Sequence, residues 1–270
     1  MKKLEAKMMQ LLELPRYLAF VREACGTEVA AKLAGWTLLS APDIIRTGTL
    51  RAVDRRISEL HPPVLAAGQR TYWERVDFGL FRDILLRKCY WPEEAFVPRA
   101  GDVVVDLGAN VGAFSILAAK RMGAGRVIAV EAQAYEYEML LRNIALNGVA
   151  DVVTPLLGFV GSGGVFGGGQ YSERLIDMDE VVREYGVREI AVLKVDIEGS
   201  EFALFERPQA WLRLVRRIAM EVHPPHGDVD RLCARLRAEG FGLRVQPSST
   251  PAAAIYLYAE RAAVHAAAAA

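Results

Sequence analysis

The chain has 270 residues, 52% of them hydrophobic, and its 33 basic and 33 acidic side chains cancel to a formal net charge of zero. That is enough chain for one large domain with a sizeable core. The charge balance argues against a surface built to grip nucleic acid or anionic lipid, and the three scattered cysteines, Cys25, Cys89 and Cys233, show neither a disulfide framework nor a zinc spacing.

The opening MKKLEAKMMQLLEL carries acids at Glu5 and Glu13 and lacks the apolar centre of a secretory signal. No run of 18 apolar residues follows, so a cytoplasmic protein without a membrane span is expected. Apolar residues at helical spacing predict a helix broken at Pro15 and a second helix to about Ala34. A third helix is expected over 44–60, started by the turn at 40–43 and stopped by His61-Pro62-Pro63. Residues 1–75 hold no chemistry motif and are expected to form a helical cap. The main domain is expected over 76–262, with a frayed alanine-rich tail at 263–270.

From about Asp77 a helix is predicted up to Pro92, and then strands and helices alternate. Strands are expected over GDVVVDLG, RVIAVEA, DVVTPLLGFV, EIAVLKVDIEG and RIAMEVH. Helices are expected over VGAFSILAAKRMG, YEYEMLLRNIALNG, MDEVVREYG, SEFALFE and DVDRLCARLRAEG. FGLRVQPS and AAAIYLYAE then form a hairpin across the turn SSTP. Nearly all-apolar strands joined by helices predict a parallel sheet covered on both faces. A parallel sheet ending in an antiparallel hairpin is the layout of a Rossmann-like class I methyltransferase, so the fold class expected is α/β with an N-terminal helical cap. Right-handed crossovers would bring the strand C-termini to one rim, where ligands bind.

VVVDLGANVG, at 103–112, puts Asp106 at the end of the first of these strands and Gly108, Asn110 and Gly112 in the turn. A dinucleotide fingerprint needs a glycine where Asn110 stands, and Asp106 would face the pyrophosphate. S-adenosylmethionine removes that conflict, because it carries an ammonium and a sulfonium and no phosphate. Asp106 is then an asset, directly or through water, and the glycines let the backbone approach the methionine portion. Glu131, 25 residues on at the end of the next strand, suits ribose hydroxyls. Gly158, between Leu157 and Phe159, is expected near the adenine.

LKVDIEGSE, at 193–201, alternates Lys194, Asp196 and Glu198 at the end of an apolar strand. Charges at a buried strand end are costly unless used or paired. Asp196 is therefore a candidate both for the cofactor and for catalysis. MEVHP adds Glu221 and His223 at the next strand end, on the same expected rim.

DLGANVGAFS, VIAVEA, LKVDIEGSEF and MEVHP, in this order across roughly residues 78–223, resemble the FkbM-type methyltransferases. The resemblance implies an S-adenosylmethionine-dependent enzyme acting on hydroxyl oxygens of sugars or natural products, so the partner expected is a small-molecule or glycan acceptor.

A neutral hydroxyl is a poor nucleophile and needs a base or a metal to take or acidify its proton. His223 or Asp196 is the candidate base and Glu198 the candidate positioner. No metal is assigned, although Asp196, Glu221 and His223 offer oxygen and nitrogen donors. The alternative is an N-methyltransferase on RNA or protein. Such enzymes commonly carry Asn/Asp-Pro-Pro-aromatic at the fourth strand, where this chain has Val195-Asp196-Ile197-Glu198-Gly199. Arg207, Arg213, Arg216 and Arg217 in RPQAWLRLVRR read as a solvated helix face rather than phosphate contacts.

Overall fold

A computed structural model describes residues 2–47, 49–66, 68–122, 125–161, 174–247 and 254–261. The chain opens with helices α1 (Lys2–Cys25), α2 (Thr27–Leu39), α3 (Ala41–Thr47) and α4 (Arg51–Ser58). Pro15 lies inside α1 and does not break it. The proline costs about 3 kcal/mol in a helix interior, but the turns after it bury Tyr17 and Val21 completely. The helix stops instead at Gly26, whose φ of +98° suits glycine. The single helix expected over 44–60 is divided between α3 and α4.

A short hairpin follows, β1 (Val64–Ala66) and β2 (Gln69–Thr71), which the residue pattern does not announce. The helix expected before Pro92 is only α5 (Phe78–Phe81), continued by a π-helical turn over Arg82–Leu86.

The alternating half agrees with expectation. It runs β3 (Val103–Leu107), α6 (Ala113–Met122), β4 (Arg126–Glu131), α7 (Ala134–Asn147), β5 (Val153–Leu157), α8 (Met178–Glu184), β6 (Val192–Val195), α9 (Glu201–Leu204), β7 (Arg217–Val222) and α10 (Val229–Ala238). The hairpin of β8 (Phe241–Pro247) and β9 (Ile255–Arg261) ends the described fold. The expected turn SSTP, most of the glycine-rich GSGGVFGGGQ and the tail 263–270 lie outside the described residues.

The sheet order is β5-β4-β3-β6-β7-β9-β8. The first five strands are parallel, and β9 is antiparallel to both neighbours. This is the Rossmann-like methyltransferase sheet with its terminal hairpin. Neighbours β3 and β6 are in a register that sets Asp106 opposite Lys194.

Each sheet face has its own core. One holds α8, α10, Trp211 and Phe205. The other is continuous from Tyr17 and Leu33 in the N-terminal helices through Phe78, Tyr90 and Phe114 to Leu140 and Tyr258. Residues on either side of position 75 therefore share one core. Tyr258 Oη donates to the Cys89 carbonyl at 2.8 Å. Asn147 exchanges two hydrogen bonds with the Tyr72 backbone. Asn143, fully buried, accepts from Glu74 N and donates to the Val111 carbonyl, both at 2.8 Å.

RPQAWLRLVRR is not one helix. Trp211–Leu214 is a 3-10 turn with Trp211 in the core, and Arg217 lies in β7. Arg216 pairs with Glu189 and Arg217 with Glu260, each at 2.7 Å. No described helix is long and apolar enough to cross a membrane.

The N-terminal layer is pinned by Asp54, whose carboxylate accepts from Tyr17 Oη and pairs with Arg82, all three buried. Removing one member of a buried pair leaves the other charge unmatched, so Asp54→Ala should lower unfolding free energy by about 3–5 kcal/mol in a denaturant titration. A loss below about 1 kcal/mol would mean that the pair contributes no more than a surface one.

Candidate active site

The rim at the C-terminal ends of β3, β4, β6 and β7 gathers most of the residues singled out in the sequence. In the β3–α6 loop, Gly108, Asn110 and Gly112 all have left-handed backbone, with φ of +78°, +52° and +91°. A Cβ on Gly108 would lie 1.7 Å from the Asp196 carbonyl oxygen, so the two loops touch backbone to backbone. A Cβ on Gly112 would meet Leu140 at 2.6 Å.

Asp106 has no exposed surface. Its Oδ2 accepts from Ser115 Oγ at 2.6 Å, and its Oδ1 lies 3.0 Å from Lys194 Nζ, close enough for an ion pair but without hydrogen-bond geometry. Lys194 also donates to the Gly108 carbonyl. Asp106 is thus engaged by Ser115 on one oxygen and faces the Lys194 ammonium with the other. Burial works against the Lys194 charge, but Asp106 and Asp196 more than offset it and raise its pKa.

Glu131 ends β4 with each carboxylate oxygen accepting one backbone N–H, from Asn110 at 2.7 Å and from Gln133 at 2.8 Å. One further acceptor position remains on each oxygen. Burial nevertheless raises its pKa against those two bonds. Gly158 has a packing reason of its own, because a Cβ there would strike Ile176 at 2.6 Å and the Arg174 carbonyl at 2.7 Å.

The loop after β6 gathers the titratable side chains. Glu198 has φ of +51° and Gly199 of +101°, which turns the chain sharply after Asp196. This brings Glu198 Oε2 to 3.3 Å from His223 Nε2, at the end of β7. One ligand atom each of Asp196, Glu198 and His223 lies within 4.8 Å of the others, so the three could hold a metal.

Behind them sits Glu201, completely buried. It accepts from Gly199 N at 2.8 Å and from His223 N at 2.7 Å, and its Oε1 lies 3.2 Å from His223 Nδ1. Burial opposes charge on Glu201, but the His223 bonds together hold its carboxyl below the usual range. Burial likewise opposes charge on His223, yet Glu201, with Asp196 and Glu198, raises its pKa to about 9. A proton thus resides on the imidazole at neutral pH.

Two residues join this group without having been candidates. Tyr90 Oη donates to Asp196 Oδ2 at 2.8 Å and lies 3.5 Å from Glu221 Oε2. Its sequence signal, an aromatic next to Trp91 before a proline, is indistinguishable from core. Glu201 is the other, and its position in the first turn after Gly199 marks it only as a helix-start acid. Glu221 is pushed up to about 7 by burial and by the Asp196 carboxylate, against His223.

The crevice fits S-adenosylmethionine on chemical grounds. It offers a close-approach glycine loop, a strand-end carboxylate with spare acceptor positions and strand-end acids for a cationic ligand.

Fold and rim together define a Rossmann-like methyltransferase, and sequence comparison agrees. The pattern of the TRM5/TYW2 methyltransferase domain matches residues 94–197. Methyltransferase sdnD of Sordaria araneosa is 26% identical over 215 residues, covering 61% of this chain and 82% of that protein. The 31-O-demethyl-FK506 methyltransferase FkbM of Streptomyces tacrolimicus is 26% identical over 215 residues, covering 60% and 80%. A ribosomal protein L11 methyltransferase of Syntrophomonas wolfei is 37% identical over 60 residues, covering 22% and 19%. The protein is an S-adenosylmethionine-dependent methyltransferase, and the resemblance to the FkbM type read from its motifs is borne out.

Gly108→Ala should force the β3 and β6 loops apart and weaken S-adenosylmethionine at least about tenfold, since strained φ and overlap each cost on the order of 1 kcal/mol or more. Gly101→Ala is the control, with φ of +84° but nothing within 4 Å. It should leave the calorimetric affinity unchanged, and equal losses for both variants would contradict the loop contact.

Proposed function

We propose that the protein transfers the methyl group to a hydroxyl oxygen of a small molecule or sugar. The observation that carries this reading is the cluster of Asp196, Glu198 and His223 at the rim. An oxygen acceptor must lose a proton as it reacts, and charged side chains at the acceptor are what that requires. An amine conjugated to a ring needs shape and hydrogen bonding more than a base.

Gly108, Asn110 and Gly112 cradle the methionine portion, Glu131 receives the ribose hydroxyls, and Asp196 lies between cofactor and acceptor. Bound S-adenosylmethionine supplies an activated methyl group. Lys194 and Asp106 hold the glycine loop rather than the ligand. Glu198, the exposed member of the cluster, positions the acceptor hydroxyl. Asp196 and His223 serve its deprotonation, with Glu201 fixing the ring so that Nε2 faces the acceptor. His223 must shed its own proton before it can accept one.

The FkbM relative supports this, since its name describes an acceptor that lacks a methyl on an oxygen. The L11 methyltransferase match is too short to carry an acceptor class.

The test is transfer of labelled methyl from S-adenosylmethionine to panels of hydroxyl compounds, amines, peptides and RNA. Label should enter hydroxyl compounds. His223→Ala should lower turnover about 100-fold, within the range for a positioned proton-transfer group, with cofactor affinity held within a factor of three. Glu131→Gln should weaken cofactor binding instead. Label confined to amines or RNA would refute the oxygen reading.

A further inference from the structure

We infer that Asp196, Glu198 and His223 form a site for one divalent cation that holds the acceptor oxygen. The inference rests on the reading that this cluster meets the acceptor, and it adds a ligand to it.

The donor set is two carboxylates and one imidazole, with one atom of each within 4.8 Å of the others. Donors about 2.1–2.4 Å from a cation stand at most about twice that apart, 4.2–4.8 Å, across it. The cluster is already at that size. The donors come from two strand ends, and the turn after β6 carries Glu198 back toward His223, at 3.3 Å.

The shell behind the cluster favours ligation. A ligating imidazole commonly gives its other nitrogen to a carboxylate, which fixes the tautomer and aims the free nitrogen. Glu201, fully buried, does this at His223 Nδ1 and leaves Nε2 toward Glu198. Tyr90 does the equivalent for Asp196 by donating to Oδ2, so that Oδ1 remains for a ligand.

Charge points the same way. Glu221 adds a third carboxylate nearby, 3.5 Å from the Tyr90 hydroxyl that also donates to Asp196. Lys194, on the same strand, is engaged by Asp106 and the Gly108 carbonyl.

The donor trio suggested by residue type, Asp196, Glu221 and His223, is corrected here, because Glu221 lies at Tyr90, 3.5 Å from the hydroxyl, and Glu198 takes its place. Three protein donors on an octahedral ion leave three positions for water and the acceptor oxygen. A hydroxyl bound there becomes more acidic, as bound water does. With the ion bound, Asp196 and His223 serve as its ligands rather than as bases, and the proton of the acidified hydroxyl leaves to solvent water.

The test titrates the metal-stripped full chain with Mn2+, followed by calorimetry and by the loss of the free-ion electron paramagnetic resonance signal. One ion should bind per chain, with a dissociation constant below about 1 mM. Glu198→Gln and His223→Gln should each weaken it at least tenfold, while S-adenosylmethionine affinity stays within threefold. Glu198 is 74% exposed, so the first variant is expected to fold, and circular dichroism checks both. Absence of Mn2+ binding to folded wild type, with or without S-adenosylmethionine, would overturn the site. Binding that survives both substitutions would overturn it equally. If Mn2+ binds as described and only amines gain label in the transfer assay, the cation site stands and the oxygen reading fails. If hydroxyls gain label and no ion binds, the reverse holds.

Discussion

The ammonium of Lys194 holds the centre of this molecule in place. It is buried at the middle of the sheet, in register with Asp106 on the neighbouring strand, and it reaches the Gly108 carbonyl beyond the strand end. Burying either charge alone would be prohibitive, so the pair exists only if β3 and β6 keep this register. A slip by one residue would turn Asp106 to the other face, into an apolar core. The same contact fixes the glycine loop, and the close backbone approach of Gly108 to Asp196 follows from it. The β3–α6 loop and the loop after β6 are thus positioned by one ion pair.

Glu201 has the corresponding role one strand over. It is an acid with no exposure, and its two oxygens collect the Gly199 amide, the His223 amide and the His223 ring. Removing it would release the turn that carries Glu198 and the ring that carries Nε2. The first acid of a short helix after Gly199 reads as a helix-start charge, and its real partners lie on another strand.

The extent of legibility follows from this. The strand ends are readable because apolar runs terminate abruptly in charge: Val103-Val104-Val105 in Asp106, Val127-Ile128-Ala129-Val130 in Glu131 and Val192-Leu193 in Lys194. Period two and burial cost suffice for that. Whether such a charge also has a partner across the sheet is a matter of register, which is why the pairing of Asp106 with Lys194 is not legible in the sequence. The closeness of Glu198 to His223 depends on a left-handed residue that is not glycine, which no local propensity predicts. In the N-terminal layer, Pro15 carries a helix-breaking weight that the packing of Tyr17 and Val21 overrides. The hairpin Val64–Thr71 has strands of three residues, too short to show alternation.

Tyr90 changes how the N-terminal layer should be understood. A cap that merely shields a sheet would contribute apolar contacts alone. This layer contributes a hydroxyl that bridges carboxylates from two adjacent strands, and it does so from a segment packed between Phe114 and Tyr256. The ring also lies over Lys194, with Nζ 5.3 Å from its centroid. One residue from outside the alternating half therefore touches both polar systems, the Lys194–Asp106 pair and the cluster around Asp196. The core on this face is continuous from Tyr17 to Tyr258 and includes Tyr90. The polar rim of the sheet is completed by the N-terminal layer, and the sheet alone would leave Asp196 without the hydroxyl that orients it.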